Sequence, residues 1–311
     1  MRFAMIFPGQ GSQSVGMGHD LAIAYKEAGM VFQYADRVLG YSIAEKCFQG
    51  PIETLTETRY AQPALLTHSI AVLRVLEAHG IEAEVVAGHS LGEYSALVAA
   101  NVLDFAAALQ LVQRRGELMF ECGVETPGTM AAVVGAPLET IAAACAAARA
   151  LGVCDIANLN APDQTVISGA VPAVQDAMRR LETGGAKMVK QLNVSGAFHS
   201  ELMRGPGAAL AEALRETTFL DANVPVIPNV TALPETNGAA LRDLLQRQIS
   251  SPVRWEASMR ALRTVSSGPI LEIGNGSVLK GLLRRIERDA ECTSIGDYAS
   301  LDALLTKTST D

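Results

Sequence analysis

None of the five cysteines, Cys47, Cys122, Cys145, Cys154 and Cys292, stands in a CxxC pair or at Cys/His ligand spacing, and their number is odd. A closed disulfide framework and a zinc motif are therefore not expected, and the thiols read as reduced and mostly buried. Long apolar runs are also missing. The alanine-rich stretch from Met130 to Leu151 is broken by Glu139 and Arg149, so no membrane span is expected. The opening MRFAMIFPGQG has one arginine and a short apolar run ending at Pro8, without a small-residue cleavage site. It does not read as a secretory signal, and a cytoplasmic location is expected. Basic charge is in deficit, with 25 Lys and Arg against 33 Asp and Glu and a formal net charge of -8. Nonspecific nucleic-acid binding is disfavoured, although a local basic patch could still receive an acidic partner. No internal repeat is visible, and only the tail Thr306 to Asp311 reads as disordered.

What is present is a chain of 311 residues, 49% of them hydrophobic, enough for a large core in one domain or in a domain with an insert. Apolar runs such as Phe3 to Phe7 and Val85 to Ala87 alternate with helical patterns, including one from Leu91 to Cys122, which is α/β order. From Gly128 the pattern tightens: strand Thr129 to Val134, helix Leu138 to Leu151, strands Cys154 to Leu159 and Thr165 to Ser168, helix Pro172 to Thr183, strand Lys187 to Val194. Strand, helix, strand, strand, helix, strand is the ferredoxin-like order. A small inserted subdomain is thus expected over 126–195, with a discontinuous α/β subdomain over 1–125 and 196–311. The second part of the larger subdomain reads as a helix from Glu201, strand Val224 to Pro228, helix Ala239 to Ile249, strand Pro269 to Ile273 and a final helical region.

Gly88-His-Ser-Leu-Gly92 fits the G-x-S-x-G elbow, with a strand before it and a helix after it. Glycines flank Ser90 as a strained turn requires, and the following helix would aim its first amides at an oxyanion, with the Leu91 N–H a natural donor. A plain strand-to-helix turn with a solvated serine is the competing reading. A serine needs a base. Of the five histidines, His19 and His79 lie near polar helix ends, His68 sits within a helical pattern, and His89 points to the other side of the strand from Ser90. His199, in "NVSGAFHSELM", stands where a strand gives way to a helix and follows the serine in chain order, although a capping or surface role would also fit. No acidic partner is assignable.

Two further stretches bear on a ligand. "FPGQGSQ", Phe7 to Gln13, lacks the third glycine of a dinucleotide fingerprint, and no Walker phosphate loop occurs elsewhere. Its glycines still permit close backbone approach, and Gln10 could supply a second oxyanion donor opposite the elbow, unless the stretch is a simple glycine turn. In "DFAAALQLVQRRGELMF", Arg115 falls on the apolar stripe of Phe105, Ala108, Leu109, Val112 and Met119. A ligand carboxylate would suit a buried guanidinium, whereas snorkelling or pairing with Glu117 or Glu121 would need no ligand.

Together, "FPGQGSQ", "YAQPAL", "GHSLGEYSAL", "LVQRRGELM", "GAFHS" and "RQISSPVRW" resemble the malonyl-CoA:acyl-carrier-protein transacylases of fatty-acid synthesis, in that family's order from Phe7 to about Gly281. The resemblance implies an α/β-hydrolase-like large subdomain with a ferredoxin-like insert, and a ping-pong transfer from malonyl-CoA to the phosphopantetheine thiol of holo acyl carrier protein. It implies Ser90 as nucleophile, His199 as base, the Gln10 and Leu91 N–H groups as oxyanion donors, and Arg115 as clamp for the malonyl carboxylate. A main-chain carbonyl near Gln248 would orient the histidine, giving a dyad rather than a triad. Phe198 resembles the residue of malonyl-selective members. Asn275 in "EIGNGS" departs from the usual proline and should alter only a loop. No metal or cofactor is implied beyond the two substrates, and a monomer is expected. Arg179, Arg180, Lys187 and Lys190, or Lys280, Arg284 and Arg285, would receive the acidic carrier. Within the family, a free-standing acyltransferase of a polyketide synthase or a transacylase subunit of malonate decarboxylase would share these motifs. A serine esterase would share only Ser90 and His199, and a non-catalytic interaction protein would need none of these positions.

Overall fold

A computed structural model describes residues 1–194 and 196–308. Among the described residues, nine strands fall into two sheets. β1 (Arg2–Phe7), β2 (Glu82–Gly88), β7 (Val226–Ile227), β8 (Ile270–Ile273) and β9 (Cys292–Ile295) form a parallel sheet in the order β7-β2-β1-β8-β9. Its central strands β1, β2 and β8 carry mostly apolar residues because both faces are covered. Ala4, Ile6, Val85, Ala87, Ile227 and Ile270 pack toward Trp255, Met259 and Leu262 of the helix Trp255–Val265. Met5, Phe7, Val86, Val226 and Leu271 face the main core, which includes the helices Thr58–Ala78 and Phe105–Glu125.

The second sheet is antiparallel, built from β3 (Gly128–Val134), β4 (Cys154–Ala161), β5 (Gln164–Ala170) and β6 (Met188–Gln191) in the order β4-β5-β3-β6. Alternation along β3 sorts its side chains by face. Ala131 and Val133 pack with Ile141 and Val174 of the helices Leu138–Ala148 and Val171–Thr183. Met130 and Ala132 join the main core instead. The two sheets are stitched together where Val253 N–H donates to Ala157 C=O at 2.8 Å and Leu159 N–H donates to Val253 C=O at 2.9 Å.

The order of elements in the second sheet agrees with the sequence reading; elsewhere the structure adds the helix Trp255–Val265 between the helix Gly238–Gln248 and β8, where the sequence reading expects no element. The sequence pattern after Ile273 suggests only helix, yet a strand, β9, lies between the helices Val278–Ile286 and Tyr298–Thr308. With four residues, CTSI, it is too short and too polar to announce itself, and its pairing with β8 forms it. β4 and β5 run to the Pro162-Asp163 turn at their shared end. The pattern Leu91 to Cys122 resolves into two helices, Gly92–Ala99 and Phe105–Glu125, the second capped by the Asp104 carboxylate accepting from Ala106 N–H. Thr306–Thr308 belongs to the last helix, and the rest of the tail expected to be disordered, 309–311, lies outside the described residues. Among the described residues no helix is long and apolar enough to cross a membrane.

Candidate active site

Parallel sheets present ligands at the carboxyl ends of their strands, and here register sets the geometry. Phe7 of β1 lies opposite Gly88 of β2, so the loop from Pro8 and the turn from His89 leave the sheet side by side. The approach is too close for side chains. A Cβ on Gly88 would stand 1.9 Å from the Gly92 carbonyl carbon, one on Gly92 would stand 2.0 Å from the Phe7 oxygen, and one on Gly9 would stand 2.5 Å from the His89 oxygen. Ser90, at the apex, has φ 51, a left-handed conformation rare outside glycine.

His199 arrives from the loop that follows β6 and also has a positive φ, 57. Ser200 pins that loop, its hydroxyl donating to Ala197 C=O at 2.6 Å and accepting from Leu202 N–H at 3.3 Å. The outcome is a distance of 2.7 Å between Ser90 Oγ and His199 Nε2. His199 Nδ1 stands 3.0 Å from the Gln248 carbonyl and 3.2 Å from the Ser251 carbonyl. Two carbonyls can only accept, so Nδ1 carries the proton and Nε2 is left to accept from the serine. Burial, with the Arg115 charge added to it, pushes His199 down from 6.5 to about 3.

The other histidines are engaged elsewhere. His89 Nε2 stands 2.8 Å from Asn160 Oδ1, and its ring meets Trp255 edge-on; His68 Nε2 stands 2.9 Å from the Gly296 carbonyl. His19 packs on Phe48, and His79 Nδ1 bonds the Val75 carbonyl within its own helix.

Arg115 neither snorkels nor pairs with Glu117 or Glu121. Its side chain is only 1% exposed; the glutamate at 117 pairs instead with Arg114. The guanidinium donates from Nη1 to Gln62 Oε1 at 2.6 Å, and from Nη2 to Ser90 Oγ and Gln248 Oε1, each at 3.1 Å. All three acceptors are uncharged.

Gln10, Leu91, Arg115, Phe198, His199 and Ser90 line one cavity of about 410 Å³, within the range of small-ligand sites. The Gln10 amide side chain turns away to donate to Thr58 Oγ1 at 3.1 Å, and the backbone N–H groups of Gln10 and Leu91 enter no hydrogen bond among the described residues. The cavity continues past Asn158, Asn160 and Gln164 to Val278, Leu279 and Leu282 on the helix Val278–Ile286.

Sequence reasoning missed Glu93, Asn229 and Gln62. Asn229 Oδ1 accepts the Ser90 N–H at 2.8 Å, while its Nδ2 donates to Gly88 C=O at 2.6 Å. Glu93 Oε2 accepts from Asn229 N–H at 2.9 Å and from Gln248 Nε2 at 3.0 Å. The signal for Glu93 was a lone carboxylate in the otherwise uncharged helix GEYSALVA, and that for Gln62 was an amide in the apolar run of its helix. Asn229, in an irregular segment after a two-residue strand, had no comparable signal.

A family model described as acyl transferase domain matches residues 4–302. The chain is 42% identical over 305 residues to a protein named malonyl CoA-acyl carrier protein transacylase from Escherichia coli (strain K12), covering 98% of this chain and 99% of that one. The protein of the same name from Bacillus subtilis (strain 168) is 41% identical over 302 residues, covering 97% and 95%. Among solved structures, an acyl carrier protein S-malonyltransferase from Vibrio cholerae superposes with a TM-score of 0.93 at 43% identity, covering 98% of this chain and all 100% of that one. A malonyl-transacylase in complex with a type II PKS acyl-carrier protein gives a TM-score of 0.95 at 40% identity, covering 99% and 100%.

Proposed function

Because this chain belongs to the acyl transferase domain family, we propose that it is an acyltransferase that moves the malonyl group of malonyl-CoA to the phosphopantetheine thiol of holo acyl carrier protein, in fatty-acid biosynthesis. One observation carries the reading. A strained serine lies within 2.7 Å of a histidine held in its basic tautomer and within 3.1 Å of a buried arginine whose acceptors are all uncharged. A hydrolase acting on simple esters has no use for that cation, whereas a malonyl group carries a carboxylate at its far end.

The residues then act as follows. Ser90 Oγ attacks the thioester carbonyl as His199 Nε2 takes the hydroxyl proton. The tetrahedral oxyanion is held by the Gln10 and Leu91 N–H groups, while Arg115 holds the malonyl carboxylate and Phe198 closes the acyl end of the cavity. Collapse breaks the carbon–sulfur bond, coenzyme A leaves as the thiol with the His199 proton, and a malonyl-serine ester remains. The carrier thiol gives its proton to His199 and attacks that ester; collapse returns the proton to Ser90. The Gln248 carbonyl orients His199, so an amide backbone takes the place of the usual triad acid. The sheet orders support an α/β-hydrolase-like subdomain over 1–125 and 196–311 and a ferredoxin-like insert over 126–195. The enzyme needs no cofactor or metal and works as a cytoplasmic monomer.

For the carrier we favour Lys280, Arg284 and Arg285 over Arg179, Arg180, Lys187 and Lys190. The helix Val278–Ile286 lines the cavity with Val278, Leu279 and Leu282, and of its three cations only Arg285 is held in an ion pair among the described residues, with Asp163. Arg179 and Arg180, by contrast, are both engaged by Asp176 and stand on a helix that does not line the cavity. The test of the function is intact-protein mass spectrometry after brief mixing with malonyl-CoA, followed by holo carrier proteins of fatty-acid and polyketide pathways. A malonyl adduct on the wild type but not on Ser90→Ala, discharged to a carrier, is expected. Release of free malonate without an adduct would identify a hydrolase instead.

A further inference from the structure

Glu93, in the first turn of the helix Gly92–Ala99 that follows the Ser90 turn, is 1% exposed. A buried carboxylate is unfavourable without hydrogen bonds, and those it has are the two that tie down the serine turn. Oε2 accepts the Asn229 N–H, and Asn229 in turn accepts the Ser90 N–H. The same Oε2 accepts from Gln248 Nε2, which also donates to the Ser90 carbonyl at 2.8 Å. Both peptide groups of the strained serine are thus held by amides that converge on one carboxylate oxygen. Gln248 carries the connection further: its side-chain oxygen accepts from Arg115 Nη2, and its backbone oxygen faces His199 Nδ1.

We propose that Glu93 is a positioning and specificity-determining residue: it holds the Ser90 turn through Asn229 and Gln248, and its charge competes with the carboxylate of the acyl group for the field of Arg115. The second half of this inference rests on the reading of Arg115 as a carboxylate clamp; the first half does not.

The electrostatics follow from the surroundings. Burial raises Glu93 from 4.5 to about 7, with the Asn229 and Gln248 hydrogen bonds and the Arg115 charge pulling the other way. The other titratable groups around this cluster do not change charge near neutrality. Tyr94, on the same helix, is raised to about 12 by burial, His199 is lowered to about 3, and His89 is also lowered by burial. Burial lowers Arg115 from its ordinary value, but a guanidinium keeps its proton throughout the neutral range. At pH 8, therefore, ionised Glu93 already offsets Arg115 and repels an incoming carboxylate; at pH 6, protonated Glu93 leaves the cation free. A malonyl thioester is ionised throughout this range, so the dependence belongs to the protein.

The experiment measures kcat/KM for malonyl-CoA and for acetyl-CoA from pH 6 to pH 8, with holo acyl carrier protein as acceptor, in the wild type, Glu93→Gln and Glu93→Asp. The wild-type ratio of malonyl to acetyl is expected to fall by up to about tenfold across this range, as for a single group titrating near the middle. Glu93→Gln keeps an oxygen for both donors without the charge, so its ratio should stay flat. Glu93→Asp keeps the charge but shortens the reach, so kcat for both acyl groups should fall together. If Glu93→Gln does not fold, the wild-type series alone decides the charge argument, because acetyl-CoA has no carboxylate to be repelled. A pH-independent malonyl preference would overturn the competition with Arg115, and full turnover in Glu93→Asp would overturn the positioning role. Absence of any malonyl preference in the wild type would instead remove the clamp reading, while the Glu93→Asp turnover still tests the positioning half.

Discussion

Arg115 Nη2 lies 3.1 Å from Ser90 Oγ, so the cation proposed to hold the acyl carboxylate donates directly to the proposed nucleophile. A hydrogen bond from a cation withdraws electron density from an attacking oxygen. On the proposed reading, a carboxylate that draws the guanidinium onto itself would relieve that contact as the acyl group arrives.

Arg115→Ala should therefore act unequally on two donors. The loss in kcat/KM is expected at about 100-fold for malonyl-CoA and under about tenfold for acetyl-CoA, since a charge-assisted carboxylate contact accounts for the difference. Steady-state release of coenzyme A from each donor measures it. Equal losses would remove the clamp.

Removing either member of the dyad should stop acylation. Ser90→Ala leaves no oxygen to acylate, and His199→Ala should slow adduct formation by at least about 1,000-fold by leaving the serine without a base. Rapid-quench mass spectrometry with malonyl-CoA reads both. An adduct on Ser90→Ala would move the nucleophile elsewhere.

Acid should destabilise the fold through its buried histidines. Burial lowers His199 to about 3 and His68 to about 4 in the folded protein, against 6.5 for the ordinary side chain. Between those values these two histidines bind more protons in the unfolded chain than in the folded one, so their contribution to stability is lost as pH falls from 6.5 toward 3, while buried Glu93 contributes in the opposite direction between about 7 and 4.5. His199→Gln removes one of these groups, and its Tm should fall less steeply over that window than the wild type's. Parallel Tm profiles would contradict the assignment.

The turn glycines should be intolerant of the smallest side chain. A Cβ at Gly92 would meet backbone at 2.0 Å, and Gly92→Ala is expected to lower stability by about 3 kcal/mol or more, since backbone must shift to accommodate it. Gly281, on an exposed helical face with nothing within 4 Å of its Cβ position, offers the contrast. Gly281→Ala should raise stability by about 0.5 to 1 kcal/mol through helix propensity. Urea denaturation of both variants makes the comparison.

Reversing charge on the helix Val278–Ile286 should separate the two candidate carrier faces. Lys280→Glu with Arg284→Glu is expected to raise the KM for holo carrier several-fold without altering Ser90 acylation, because charge at a rim acts chiefly on association. Arg179→Glu with Arg180→Glu should leave it unchanged. The reverse pattern would place the carrier on the small subdomain.

Taken alone, the sequence determined what local chemistry and spacing encode. It placed a serine between two glycines at a strand-to-helix turn, an arginine on an apolar helical stripe, a histidine at a strand-to-helix passage, and the order of strands and helices in the second sheet. These are short-range statements, each readable within a window of a few residues. It could not single out the short β9, which exists only through its pairing with β8, nor say whether Arg115 reached solvent or turned inward. Contacts between distant positions were decided by the tertiary structure: Ser90 with His199 across 109 positions, Ser90 with Asn229 across 139, and Glu93 with Gln248 across 155. Those pairings depend on sheet register and on the Val253 stitch between the sheets, properties of the folded chain with no local signature. For the same reason the charge balance around Arg115 was invisible beforehand. Desolvation turns an ordinary glutamate and an ordinary histidine into groups that are neutral or charged at unusual pH, and burial is set by the whole fold rather than by the residues beside them.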